Sequence, residues 1–242
     1  MKPRVRKCWR YNPSFAHSYF FEILSVFRIK ICGITSVVDA LLAAEAGADA
    51  IGLNFYDKSP RYVTAERAKE ICDALPPGIA KVGVFVNSLP TGIIATVHRV
   101  GLDAVQLHGD EGPELLVALG KLPAIKAFRC QGSTLDRVQA FLGHGPDSTR
   151  LVAVLLDAHA PGTYGGTGQV LDWKGLRGER AKLQGLPLIL AGGLTPQNVA
   201  EAIRLARPDA VDTASGVESA PGQKDPAKVR AFIVAAKAAG LQ

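Results

Sequence analysis

No run of about eighteen or more uncharged apolar residues occurs in the sequence, so no membrane span is placed in it. Its four cysteines, Cys8, Cys32, Cys72 and Cys130, form no CxxC pair, and the body of the chain has no zinc-type Cys/His spacing. A chain of 242 residues is not a small loop-rich secreted domain, so these read as reduced thiols of a cytoplasmic protein. No GxGxxG follows the first strand and no Walker-type lysine follows a glycine loop, which excludes both nucleotide fingerprints. Excess charge is missing from most of the chain as well. Of the net +6, residues 1–28 hold Lys2, Arg4, Arg6, Lys7, Arg10 and Arg28 against Glu22 alone, a net +5 that leaves +1 for the rest. A body so close to neutral is not built for nucleic acid.

Residues 1–27 differ from the rest of the chain: they are basic at first, then aromatic with Tyr19, Phe20, Phe21 and Phe27. Glu22 interrupts the apolar part and no small-residue cleavage site comes after it, which argues against a signal peptide. The segment is expected to be a dispensable extension or a misassigned start; the alternatives are a helix packed on the bottom of the body and a targeting leader.

What is present from Arg28 onward is alternation. Ile29 and Ile31 alternate with Lys30 and Cys32, a strand that runs into Cys32-Gly33. Ser36, three residues before Asp39, opens a capped helix. Strands follow at 48–55, 80–86, 104–107, 124–128, 151–156, 187–191 and 209–213. Helices are expected at 64–75, 90–100, 111–119 and 133–142, as a short piece near 171–176, from Thr195-Pro196 to Leu205, and after Asp225-Pro226. Eight strand–helix units in this length predict one catalytic domain over residues 28–242, a (β/α)8 TIM barrel with a parallel sheet. An open doubly wound sheet is the alternative fold.

In a barrel everything just after a strand lies on one rim. The polar residues there include Cys32, Asn54, Arg61, Asn87, His108, Arg129 and Asp157. Gly165, Gly166 and Gly168 follow strand six, Gly192-Gly193 strand seven and Ser215-Gly216 strand eight, where backbone N–H groups can cradle a phosphate. Tight turns are the plain alternative for each. Cys32 and Asp157 end strands one and six, where a base and an acid can serve one substrate between them. As a base Cys32 calls for a lowered pKa, and as an acid Asp157 calls for a retained proton. Otherwise Cys32 is a core thiol and Asp157 caps loop amides. Arg61 can fork onto a carboxylate, with an ordinary surface arginine as the alternative, and His108 either serves the site or simply bonds a loop.

The segments KICGIT, GLNFYDKSPRYV, VGVFVN, AVQLHGDE, LLDA with YGGTG, LAGGLTPQNV and VDTASGVESAPGQKD resemble, in order, those of phosphoribosylanthranilate isomerase. The resemblance runs from Arg28 to the C-terminus. It implies a barrel that performs an Amadori rearrangement in tryptophan biosynthesis, without cofactor or metal. It implies Cys32 as general base, Asp157 as general acid, Arg61 and His108 at the anthranilate carboxylate, and the glycine loops at the phosphate. The partner implied is the small-molecule substrate phosphoribosylanthranilate, with a monomer as default and a homodimer as alternative. One departure stands out: Thr213-Ala214 replaces the family's usual valine and first serine, which removes a hydroxyl from the phosphate loop. Rival readings are indole-glycerol-phosphate synthase, for which Lys30 is wrongly placed, a ribulose-phosphate epimerase, a non-catalytic binder of sugar phosphates, and a bifunctional isomerase that also serves a histidine-pathway intermediate.

Overall fold

A computed structural model of the chain describes residues 27–130, 134–143, 151–158 and 173–241. Eight parallel strands close on themselves in chain order: β1 (Ile29–Cys32), β2 (Ala50–Asn54), β3 (Ala80–Phe85), β4 (Ala104–Leu107), β5 (Ala124–Arg129), β6 (Leu151–Asp157), β7 (Leu188–Ala191) and β8 (Ala210–Thr213). The helices are α1 (Val37–Ala46), α2 (Ala65–Ala74), α3 (Pro90–Val100), α4 (Glu114–Ala118), α5 (Thr134–Gly143), α6 (Trp173–Gly178), α7 (Val199–Ala206) and α8 (Pro226–Ala238). The closed barrel is the fold the strand–helix alternation predicts, and the open sheet is excluded. Among the described residues no helix is long and apolar enough to cross a membrane.

Local chemistry sets the helix ends. Ser36 accepts the Asp39 N–H at 3.1 Å to start α1, and Gly47 ends it at φ 94°, a conformation other residues take at a cost. Asp225 accepts the Ala227 and Lys228 N–H groups to start α8, with Pro226 at the first helical position. Two helices begin later than the sequence pattern predicts. Glu111 does not open α4: its carboxylate accepts the Asn87 and Gly109 N–H groups and pairs with Lys126 at 2.7 Å, and helix starts only at Glu114. After Thr195-Pro196 the chain makes a turn in which Asn198 Oδ1 accepts the Thr195 N–H, so α7 starts at Val199. A small hairpin, β9 (Glu218–Ala220) and β10 (Gln223–Lys224), adds to the elements the sequence pattern predicts.

Outward-facing strand residues such as Ile29, Ile31, Ile51, Leu53 and Leu107 form the large core against the helices. A second core fills the barrel, with Phe27, Ala50, Val82, Ala104, Ile125, Ala153, Leu155 and Ile189. Phe27, by sequence the last residue of the extension, is 3% exposed in this inner core and so belongs to the barrel.

At the end where the strands begin, three aspartates tie the sheet together. Each stands just before the alanine that opens a strand and reaches back to an amide of the strand before it. Asp49 accepts the Arg28 and Ile29 N–H groups at 2.9 and 2.8 Å, Asp103 the Lys81 N–H at 2.8 Å, and Asp209 the Leu188 N–H at 2.7 Å. Amides at the start of a strand lie where the ladder is not yet formed, so these carboxylates satisfy donors that burial would otherwise penalise.

Candidate active site

Cys32 is the last residue of β1 and Asp157 the last of β6, so both stand at the rim where the strands end. Around the closed barrel three steps separate their strands through β8 and β7, and five through β2 to β5. The two groups therefore face the mouth from well-separated sides. Gly52 on β2 gives the thiol its room: a Cβ there would lie 2.5 Å from Cys32 Sγ.

The sulfur's environment differs from the expected lowered pKa. Burial pushes the Cys32 thiol above its ordinary value, Asp212 pushes the same way, and the ammonium groups of Lys30 and Lys224 oppose them. Asp157 meets His108 from the end of β4: His108 Nε2 and Asp157 Oδ2 are 3.1 Å apart, with side chains 22% and 18% exposed. His108 is thus brought to the acid candidate.

Arg61, on the loop after β2, is already engaged. Its Nε and Nη2 donate to both oxygens of Glu218 at 2.8 and 2.6 Å. Lys224 Nζ donates to the same carboxylate at 2.8 Å. Burial alone would raise the Glu218 carboxyl, but the bonds from Arg61 and Lys224 hold it below its ordinary range. Those bonds fix the guanidinium plane and leave the Nη1 edge to meet another planar anion. Gly33, at φ 72°, passes so close that a Cβ would strike the Arg61 side chain. The ion pair thereby packs against the turn that follows Cys32.

Gly192 and Gly193 follow β7 at φ 84° and 65°. Ser215 and Gly216 stand in a 3-10 turn (Ser215–Val217) after β8. A Cβ on Gly216 would collide with the Leu194 carbonyl, so the two loops are in close contact. Thr213, one of the two departures from the usual motif, donates its hydroxyl to Leu194 O at 2.7 Å; it joins these loops and is buried. Gly165, Gly166 and Gly168 lie outside the described residues.

Sequence reasoning missed the layer beneath the mouth. Lys30, wrongly placed for a strand-end lysine, points into the barrel and is fully buried. It donates to Gln106 Oε1 and Asp212 Oδ2, each at 2.8 Å. Gln106 Nε2 is in turn 2.9 Å from His108 Nδ1. The available signal was the alternation itself, since Lys30 shares the face of Cys32. Glu218 and Lys224 were also missed, although the Pro221-Gly222 turn between them marks the hairpin that joins them. Among the described residues no group of three or more His, Cys, Asp or Glu side chains is gathered to hold a metal ion.

The family model N-(5′phosphoribosyl)anthranilate (PRA) isomerase matches residues 29–235. The N-(5′-phosphoribosyl)anthranilate isomerase of Geobacter sulfurreducens is 53% identical over 211 residues, 87% of this chain and 98% of that one. A crystal structure of phosphoribosyl anthranilate isomerase in complex with reduced 1-(o-carboxyphenylamino)-1-deoxyribulose 5-phosphate is 39% identical, with TM-score 0.75 over 88% of this chain and 99% of that one. A structure of monomers generated from the dimeric enzyme of Thermotoga maritima is 38% identical, also with TM-score 0.75 over 88% and 99%. Similarity of this extent, along nearly the whole length of each relative and on the same barrel, shows that the chain belongs to the N-(5′-phosphoribosyl)anthranilate isomerase family.

Proposed function

We propose that this chain converts N-(5′-phosphoribosyl)anthranilate to 1-(2-carboxyphenylamino)-1-deoxy-D-ribulose 5-phosphate in tryptophan biosynthesis, with Asp157 as general acid and Cys32 as general base. Asp157 protonates the furanose ring oxygen as the C1–O bond breaks and the anthranilate nitrogen forms a Schiff base with C1. The C2 proton is then acidic, and the Cys32 thiolate removes it to give the enolamine. Ketonisation moves a proton from the C2 hydroxyl oxygen to C1, and the product is an isomer with no net proton gained or lost. Each positioned transfer is worth on the order of 10²–10⁴-fold.

The observation that carries this reading is the placement of Cys32 and Asp157 at one rim, on β1 and β6, with different anion-binding groups on the two arcs between them. Gly192, Gly193, Ser215 and Gly216 follow β7 and β8 on the short arc, where their backbone N–H groups suit the phosphate. Arg61 follows β2 on the other arc, where its guanidinium suits the anthranilate carboxylate. A substrate bound at both ends would hold its ribose between thiol and carboxyl. His108, bonded to Asp157, keeps the acid oriented and stands beside the substrate. The scheme calls on no cofactor, and every group in it comes from one chain, so a monomer suffices; light scattering on the purified chain tests that.

The activity is tested by mixing purified full chain with freshly made phosphoribosylanthranilate and following loss of its fluorescence. Saturable decay that yields the carboxyphenylamino product supports the reading. A folded chain that binds the substrate and leaves it unchanged would replace this reading with the non-catalytic sugar-phosphate binder.

A further inference from the structure

Lys30 stands out in an interior otherwise filled largely with alanine and branched aliphatic residues. Burying an ammonium is costly unless it is paired and its donors are used. The pairing is incomplete on the acidic side: Asp212 gives Oδ2 to Lys30, while its Oδ1 is buried with no partner among the described residues. Such a pair is a poor device for stability, and its placement one layer beneath Cys32 on the same strand points to another use.

The hydrogen bonds that leave Lys30 fix the orientation of everything they reach. A lysine only donates, so the Gln106 atom that faces it is the amide oxygen. The Gln106 NH₂ therefore faces away, toward His108 Nδ1 at 2.9 Å. That nitrogen must accept, so the ring proton sits on Nε2, and Nε2–H donates to Asp157 Oδ2 at 3.1 Å. A continuous chain of oriented bonds thus runs from beneath Cys32 to Asp157. At its other end the ammonium of Lys30 acts on the Cys32 sulfur and opposes the effect of burial on the thiol. Burial alone would also favour the neutral amine of Lys30, but Asp212 and Cys32 outweigh it and the side chain stays charged.

We propose that Lys30 is a positioning residue that serves both proton-transfer groups: it is the counter-charge beneath the Cys32 thiolate, and through Gln106 it holds His108 as the Nε2–H tautomer that donates to Asp157. The proposal rests on the reading of Cys32 and Asp157 as base and acid. It makes one buried cation responsible for the state of two side chains on opposite sides of the mouth. The charged groups that face Cys32 are Lys30 on its own strand, Asp212 on β8, Lys224 on β10 and Arg61 on the loop after β2.

The test uses the full chain and two readouts that need no turnover. The first is the pH dependence of Cys32 alkylation by iodoacetamide, resolved from the other cysteines by peptide mass spectrometry. Lys30→Met is combined with Asp212→Asn so that no lone charge stays buried. In this double variant the alkylation midpoint is expected to rise, because Lys30 acts on the sulfur more strongly than Asp212 does. Asp212→Asn alone is expected to lower the midpoint. A merely structural role predicts no such opposition of sign. The second readout is ¹⁵N NMR of the labelled histidines, with His108 assigned by His108→Gln. Wild type is expected to show His108 protonated at Nε2, and Gln106→Leu to lose that preference. An unmoved alkylation midpoint in the folded double variant, or a wild-type His108 protonated at Nδ1, overturns the proposal. The tautomer is read in wild type, so it decides even where a variant fails to fold. Absence of isomerase turnover with both readouts as expected would strike the acid–base reading and leave the Lys30 electrostatics standing.

Discussion

Asp49, Asp103 and Asp209 stand where strands begin, and Asp157 stands where one ends. The first three each accept backbone N–H groups from the start of a neighbouring strand, so their partners are fixed parts of the fold. Asp157 instead meets His108, a side chain itself held by a buried polar chain, and it faces the mouth. One residue type therefore meets two kinds of partner, decided by which end of the barrel it occupies. A carboxylate that accepts backbone amides satisfies donors the fold would otherwise leave unpaired and contributes to stability. A carboxylate that meets a titratable side chain at the rim can change its proton and its company during a reaction. Under the proposed function the barrel separates a cohesive end from a reactive end, the division this fold makes in general.

The largest expected effect of breaking this division lies at the reactive end. Gly52→Ala would drive a Cβ against Cys32 Sγ. A displacement near 1 Å at a reacting atom costs on the order of 10²-fold in rate. Steady-state kinetics with a thermal melt should show kcat reduced by about that factor; unchanged kcat would mean that the sulfur needs no fixed place. Next is Arg61→Lys, which exchanges a two-pronged bond to Glu218 for a point charge. A loss of roughly 10–100-fold in kcat/KM is expected, most of it in KM, since charge-assisted bonds are worth about 1.5–3 kcal/mol. A fall confined to kcat would move Arg61 from binding to chemistry.

Asp49→Ala acts at the other end. It strands two amides, at a cost of about 1–3 kcal/mol, and should lower the melting temperature by several degrees while turnover per folded molecule stays unchanged. A specific loss of turnover would blur the two ends. The smallest effect is expected from removal of residues 1–26, which we propose to be dispensable for folding and turnover. The cut spares Phe27, which fills the barrel floor. Melting and kinetics of the shortened chain check this, and a large loss in either would make the segment part of the working enzyme.

Much of the fold was legible because β-branched strands alternate with capped helices at short spacing. Ser36 and Asp225 behave as their local chemistry demands. Pro196 misled because proline at a first helical position is also a good turn residue, and Asn198 closes a turn there before helix begins. Glu111 misled because a glutamate near a helix start can as well satisfy loop amides and a buried lysine. At the mouth, Cys32, His108 and Asp157 could be located by counting strand ends. The layer below could not be assembled that way, since Lys30, Gln106 and Asp212 come from β1, β4 and β8 and meet only when the barrel closes. The pairing of Arg61 with Glu218 escaped for the same reason, since the partners are 157 positions apart in sequence.

The central claim, that chemistry is confined to the rim pair, is tested most directly by three variants measured side by side: Cys32→Ser, Asp157→Asn and Asp209→Asn. Each is followed by turnover of phosphoribosylanthranilate and by thermal melting. The first two are expected to lose at least about 10²-fold in kcat with melting little changed, while the third melts lower and turns over normally once folded. Near-full turnover in Cys32→Ser or Asp157→Asn would contradict the claim.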